Sequence, residues 1–407
     1  MKKQMKKFSI LAISLMTASA PAINAAIPML AKHFSNVPLP MVEMLTTIPS
    51  LFLIVSILFS NWIAKKIGLK QTIMIGVALI VVSALGSSLV NNFAFIFAMR
   101  ALLGLGVGLF NSLLVAVVDY FYQGQERTQT FGFQSAFEGL GGIIITFIAG
   151  QLMRINWQAP FWTYGLALPI LLLFMIFVPK IPKNQTQNLE NDSQEVTEEQ
   201  TEPSDIIEDS EASANKAETA QRHGYGRLVG YMAFIFIVAI FYMIIGVKVS
   251  EVIVNRGFGT STDASYVILL LSIGATLSGF IFGNLEKHLK RLMMPCGLTL
   301  LGLASILIGT AHNNISVYIA GFITGIGFRM ILPHIINAVN RLYPAQTASV
   351  ATCILVSYNL GAAISPYVAA GLMKISAFNS IGNLFMLGTG LYLCMAIIGF
   401  IYNIITR

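Results

Sequence analysis

The stretch Phe97–Phe110, "FAMRALLGLGVGLF", sets one arginine, Arg100, in a run of aliphatic residues with glycines at 104, 106 and 108. The next acidic residue along the chain is Asp119, about five helical turns away. A permanently charged guanidinium in such a run needs a polar cavity or a partner if the run crosses a bilayer. The rest of the chain says that it does. Of 407 residues, 56% are hydrophobic and only 11% charged, with a mean hydropathy of +0.74, whereas a soluble domain carries about 25% charged residues.

Apolar runs of roughly 20 residues, the length a spanning helix needs, recur twelve times: 8–31, 42–64, 71–91, 94–118, 129–153, 157–179, 228–250, 264–286, 292–311, 314–338, 346–373 and 379–404. The split between the third and fourth rests on "SSLVNNF". The opening "MKKQMKKFSILAISLMTASAPA" imitates a secretory leader. It reads better as an uncleaved first span, because the apolar run continues to Leu30 and eleven spans follow. Cys296, Cys353 and Cys394 form no close pair and read as small packing residues.

An even number of spans puts both termini on one side. That side carries eighteen Lys and Arg residues, against four on the other. The positive-inside rule therefore predicts cytoplasmic termini in a plasma-membrane protein. The net charge of +7 reflects topology and not nucleic-acid binding. The partners expected are the lipid bilayer, protons and a small-molecule substrate, handled by a monomer. No cofactor or metal is expected.

The fold expected is an all-α membrane protein of two pseudo-symmetric six-helix bundles, 1–179 and 228–407. They are joined over 180–227 by a polar segment with eleven acidic residues between Glu190 and Glu218, read as a disordered cytoplasmic tether. The halves repeat each other. "LGGIIITFIAGQLM" (140–153) and "LGAAISPYVAAGLM" (360–373) share six of fourteen positions, and "GLGVGLF" (104–110) matches "GIGFRMI" (325–331). A parallel repeat predicts bundles related by an axis along the membrane normal, with a cleft between them near the midplane.

These features resemble the major facilitator superfamily of secondary transporters. Between spans two and three, "NWIAKKIGLK" (61–70) keeps Gly68, Lys70 and Lys66 of the family's loop motif, while Lys65 stands where its aspartate belongs. The resemblance implies a cytoplasmic gate from Lys65, Lys66, Gly68, Lys70 and Asp119, with Lys65 or Lys66 paired to Asp119. Arg100 with Gly104 and Gly108 resembles the Arg-x-x-x-Gly motif of drug–proton antiporters, where the arginine is linked to proton coupling. The antiporter signature of span five is degraded: its Gly-Pro is Ile145-Thr146 here. The family lines its cavity with spans one, four, seven and ten.

The candidate binding or coupling residues are Asn24, Arg100, Gln134, Glu138, Arg329 and His334. Burial in a low-dielectric cleft disfavours an ionised carboxyl group, so Glu138 is the proton-carrier candidate, with Gln134 one turn before it. It could equally neutralise Arg100, and Arg100 could instead cap carbonyls of a neighbouring helix. Lys248 and Glu251, three residues apart, read as a local surface pair, with an extracellular gate as the alternative. Phe241, Tyr242 and Phe328 could stack an amphipathic ligand. No P-loop, H-E-x-x-H or G-x-S-x-G motif is present, so enzyme readings lack residues. Proton-coupled export of amphipathic small molecules is the leading reading. Uptake or exchange of organic anions, and a receptor signalling through the tether, remain alternatives.

Overall fold

The computed structural model describes residues 2–181, 226–343 and 346–405, which are all-helical. Of the expected tether, residues 182–225 lie outside the described residues. Ten described stretches are long and apolar enough to cross a membrane. One of them, Ser261–Gly309, holds two spans joined by a short turn, and a broken first span brings the total to twelve.

Span one comes in three pieces: a helix Lys2–Ser14, a 3-10 segment Ala20–Ala26 and a helix Ile27–His33. Pro21 and Pro28 lie at the starts of the second and third pieces, where a missing N–H is tolerated. Spans two to five are Leu39–Ile67, Leu69–Leu89, Phe93–Phe121 and Gly124–Leu152. Span six is a 3-10 segment Ala159–Leu166 running into a helix Ala167–Phe177. In the second half, spans seven to twelve are Gly226–Asn255, Ser261–Leu289, Met293–Gly309, Asn314–Leu342, Thr347–Leu372 and Ile381–Ile405. Spans three and four are separate, parted at 90–92, where the Asn92 side chain caps span four by accepting from the Phe95 N–H. Asn313 caps span ten in the same way, accepting from Ser316. Gly68 joins spans two and three at a φ of 101°, a conformation that favours a residue with no Cβ.

The internal repeat is visible in the packing. Span two lies on span four, and span eight on span ten. Gly104 and Gly325 each fall eleven residues after the first residue of their helix, Phe93 and Asn314. A methyl group on Gly104 would collide with the Pro49 backbone, and one on Gly325 with that of Leu271. Pro49 and Leu271 are each ten residues into their own spans. Small residues at such crossings let helix backbones approach within a membrane, where no hydrophobic force drives helices together.

Arg100 belongs to the same crossing. The helical partner of the Leu45 carbonyl would be the N–H of residue 49, and Pro49 has none. Arg100 supplies the missing donor: its Nε lies 2.8 Å from the Leu45 oxygen, and its Nη2 donates to the Ala20 oxygen of span one, also at 2.8 Å. Its guanidinium carbon sits 5.2 Å from the ring centroid of Tyr164 on span six. The side chain is fully buried, and one nitrogen, Nη1, has no hydrogen-bond partner. Spans one, two, four and six are thus clasped by one residue.

Replacing Arg100 with leucine removes the donor to the Leu45 carbonyl and leaves the Ala20 carbonyl only the Tyr164 hydroxyl at 3.4 Å, and should lower stability by about 2–4 kcal/mol. Gly104→Val should cost about 3 kcal/mol through overpacking. Gly132→Ala, with open space around it, should stay within about 0.5 kcal/mol of wild type. Thermal unfolding in detergent, followed by the fraction that remains monodisperse, separates these outcomes.

Candidate functional site

A cavity of about 910 Å³ lies between the two halves. Spans one, five, seven, eight and ten line it, and span four contributes none of its lining residues. The expectation of a wall from spans one, four, seven and ten is corrected accordingly. The glycine face of span four is consumed by its contacts with spans two and three, through Gly104, Gly108 and Gly106. Span five replaces it, because its sequence "QTFGFQSAFEG" (129–139) offers polar and small residues on the inward face.

The cavity opens at the end that carries the chain termini. Gln129, Gly132 and Ser135 are exposed, whereas Thr146, further along span five, is buried. Beyond Thr146 the halves are pressed together. Gly150 lies so close to Ser265 that a methyl group there would clash. Gln151 donates to the Tyr266 hydroxyl at 3.2 Å. Between spans two and eleven, Thr47 donates to the Ala363 carbonyl at 3.2 Å. Between spans seven and one, Ser250 donates to the Asn24 carbonyl at 3.3 Å.

Among the predicted site residues, Asn24, Glu138 and Arg329 line the cavity. Glu138 and Arg329 lie near the middles of two 29-residue helices, spans five and ten. Arg329 reaches across to span eight, where Gly279 leaves room for it: a methyl there would come within 3.3 Å of Nε. Its charge is the one that acts on the Glu138 carboxyl. The Oδ1 of Asn24 is buried without a hydrogen-bond partner. Tyr242 lines the cavity and stacks on Phe328 at 3.9 Å, which in turn lies 5.3 Å from Tyr358. Phe241 points elsewhere, packing edge-on against Tyr392.

The other candidates are placed differently. Arg100 is held among the carbonyls described above and does not line the cavity, so it is not the partner of Glu138. Gln134 is not among the lining residues either, and its Oε1 is buried without a partner. His334 directly follows Pro333 of the lining but is not itself among the lining residues; its Nδ1 lies 3.3 Å from Glu286 Oε1 on span eight, and Asn337 donates to the same carboxylate at 3.1 Å. Asp119 accepts from Arg127 across the short link between spans four and five. Lys66 stacks over Trp62, its Nζ 3.8 Å from the ring centroid. Lys70 caps the end of span six through the carbonyls of Met175 and Val178.

Lys248 and Glu251 correct a second expectation. They are 3% and 7% exposed, so they form no surface pair. Lys248 Nζ lies 3.0 Å from Glu251 and 2.5 Å from Glu43 of span two, which is itself fully buried. Glu43 escaped the sequence reading because it sits four residues after the start of its helix, where a charge commonly faces the interface. The signal available was its place inside an apolar run with no cation near it in sequence.

Comparisons with known proteins bear on this geometry. The profile of the Major Facilitator Superfamily matches residues 8–209 and 231–405. The chain is 34% identical over 127 residues to the multidrug efflux protein YfmO of Bacillus subtilis (strain 168), covering 31% of this chain and 32% of the relative. It is 23% identical over 163 residues to the arabinose-proton symporter of Escherichia coli (strain K12), covering 40% and 34%. The chain thus spans about a third of the length of the curated relatives it matches. Among solved structures, a mutant of the nucleoside transporter NupG superposes with a TM-score of 0.74 at 13% identity, covering 98% of each chain. The peptide transporter POT in complex with sulfate superposes with a TM-score of 0.68 at 15% identity, covering 97% of this chain and 93% of that one. At these identities the likeness speaks for the fold alone. With the family profile matched over both halves, the chain belongs to the Major Facilitator Superfamily.

Proposed function

We propose that this protein is a proton-coupled secondary transporter that exports amphipathic small molecules by alternating access, with both termini in the cytoplasm. The observation that carries the reading is that Glu138 and Arg329, each near the middle of its helix, line one closed-ended cavity. An ionisable residue inside a membrane is a functional hypothesis by default, and here two of opposite sign share a space walled by aromatic rings. With the termini cytoplasmic, the open end faces the cytosol.

Glu138 is the group on which proton and substrate alternate. Ionised, it balances Arg329 and offers a counter-charge to a cationic or amphipathic ligand lying against Tyr242. Protonated, it gives up that attraction. Rocking of the halves about the midplane then exposes the same site to the other side. The efflux relative supports export. The symporter relative and Arg329 favour the second reading, uptake or exchange of small organic anions, in which Arg329 is the anchor.

Proton movement in proteoliposomes, read with a pH-sensitive dye, distinguishes the two. Lipophilic cations should drive proton flux in wild type, and Glu138→Gln should reduce it at least tenfold. Flux driven only by anions, surviving Glu138→Gln and lost in Arg329→Ala, overturns export in favour of the anion reading. Orientation is tested separately. A membrane-impermeant thiol reagent should label Ser135→Cys from the cytosolic face in inside-out vesicles, and much more slowly in right-side-out ones. The reverse pattern overturns the topology.

A further inference from the structure

Three ionisable side chains meet at the sealed end, remote from the chain termini: Glu43 on span two, and Lys248 and Glu251 on span seven. Their formal charges sum to −1 when all are ionised. All three are buried, with Glu43 wholly so. Both carboxyl oxygens of Glu43 lack a hydrogen-bond donor of good geometry, although Lys248 Nζ lies 2.5 Å from one of them. Removing a net charge from water is costly even when part of it is paired. One proton brings the cluster to neutrality. Glu43 is the group that accepts it, because Glu251 already has a hydrogen bond from Lys248, at 3.0 Å along its own helix. A neutral Glu43 still presents a carbonyl oxygen to Lys248.

Among the described residues, the other charges near the cluster are engaged elsewhere: Arg256, five residues beyond Glu251, donates to the carbonyls of Ile308, Gly309 and Ala311. Arg100 on span four is occupied by the Leu45 and Ala20 carbonyls. Span eleven carries no Asp, Glu, Lys, Arg or His, its titratable groups being Tyr358, Tyr367 and Cys353. Lys70 of span three lies at the opposite end. On span one, Lys32 and His33 are exposed, and His33 is engaged by Asn91 and Trp157.

We propose that Glu43 is a second proton-binding site, distinct from Glu138, and that sealing the end remote from the termini takes up one proton there while opening it releases one. The contact joins spans of different halves, so it exists only when that end is closed. The inference uses the transport reading solely to name that end extracellular; the proton site itself follows from the cluster.

The test needs no substrate and no transport. Spin labels at Asn36 and Ser376, exposed positions on the two halves at this end, report its separation by pulsed electron resonance. The protein is held in nanodiscs in a background free of native cysteines, from about pH 5 to about pH 9. One proton per closure changes the closed-to-open ratio by up to about tenfold per pH unit. Wild type should therefore open as the pH rises. Glu43→Gln and Glu251→Gln should both lose the pH dependence, since each leaves a cluster that is neutral without an added proton. Lys248→Met should need two protons to close, with a slope approaching about a hundredfold per unit. Glu138→Gln should still open as the pH rises, because Glu43 is intact. Infrared difference spectra should show a protonated-carboxyl band that is absent in Glu43→Gln. A pH-independent wild type, a Glu43→Gln variant that titrates normally, or loss of the dependence only in Glu138→Gln overturns the proposal. Failure of the dye assay above leaves these readings standing, so the two proposals fail separately.

Discussion

Pro49 removes one N–H from span two, and much of the first half is arranged around that omission. The carbonyl of Leu45 loses its helical partner, and Arg100 replaces it from span four. Because the guanidinium has several donors in a fixed fork, the same side chain also reaches Ala20 on span one. Gly104, one turn along span four, lets the two backbones come close enough for this to happen. The motif that first drew attention, an arginine followed four residues later by glycine, is thus the complement of a proline on another helix. The charge is tolerated because carbonyl dipoles surround it.

This rigid crossing determines what is left for the site. With span four committed to spans two and three, the wall of the cavity falls to span five, whose polar face carries Glu138. The second half repeats the glycine crossing at Gly325 but puts Leu271 where the first half has Pro49, and Gly321 where the repeat would place a counterpart of Arg100. No orphaned carbonyl calls for a guanidinium there, and the mid-span arginine of span ten, Arg329, is set eight residues on and lies in the cavity. A near-symmetric fold therefore carries an asymmetric site.

The spans were legible because a bilayer demands long apolar runs, and the repeat was legible from shared residues at matched offsets. Glu138 and Arg329 could be singled out because charges in apolar helices are rare. The role of Arg100 was not legible in the same way, since its main partner is an absence on a residue 51 positions earlier. Glu43 was missed because its burial is produced by Lys248, 205 residues away and in the other half. Sequence periodicity reports which face of a helix is apolar, but not which distant helix will cover a charge near its end.

The broken first span has a consequence for how the protein is made. Between Ser14 and Ala20 the backbone leaves the regular helix at a depth where lipid offers no hydrogen bonds, which a bilayer tolerates only if protein surrounds it. The neighbours that surround it come from later spans: Arg100 and Tyr164 approach the Ala20 carbonyl, and Gly141 packs on the backbone of Leu15. This segment, made before spans four to six, can take up its final shape only after they have been synthesised. Until then the insertion machinery has to shelter it, or it must sit in the bilayer as a straighter helix that bends when its partners arrive.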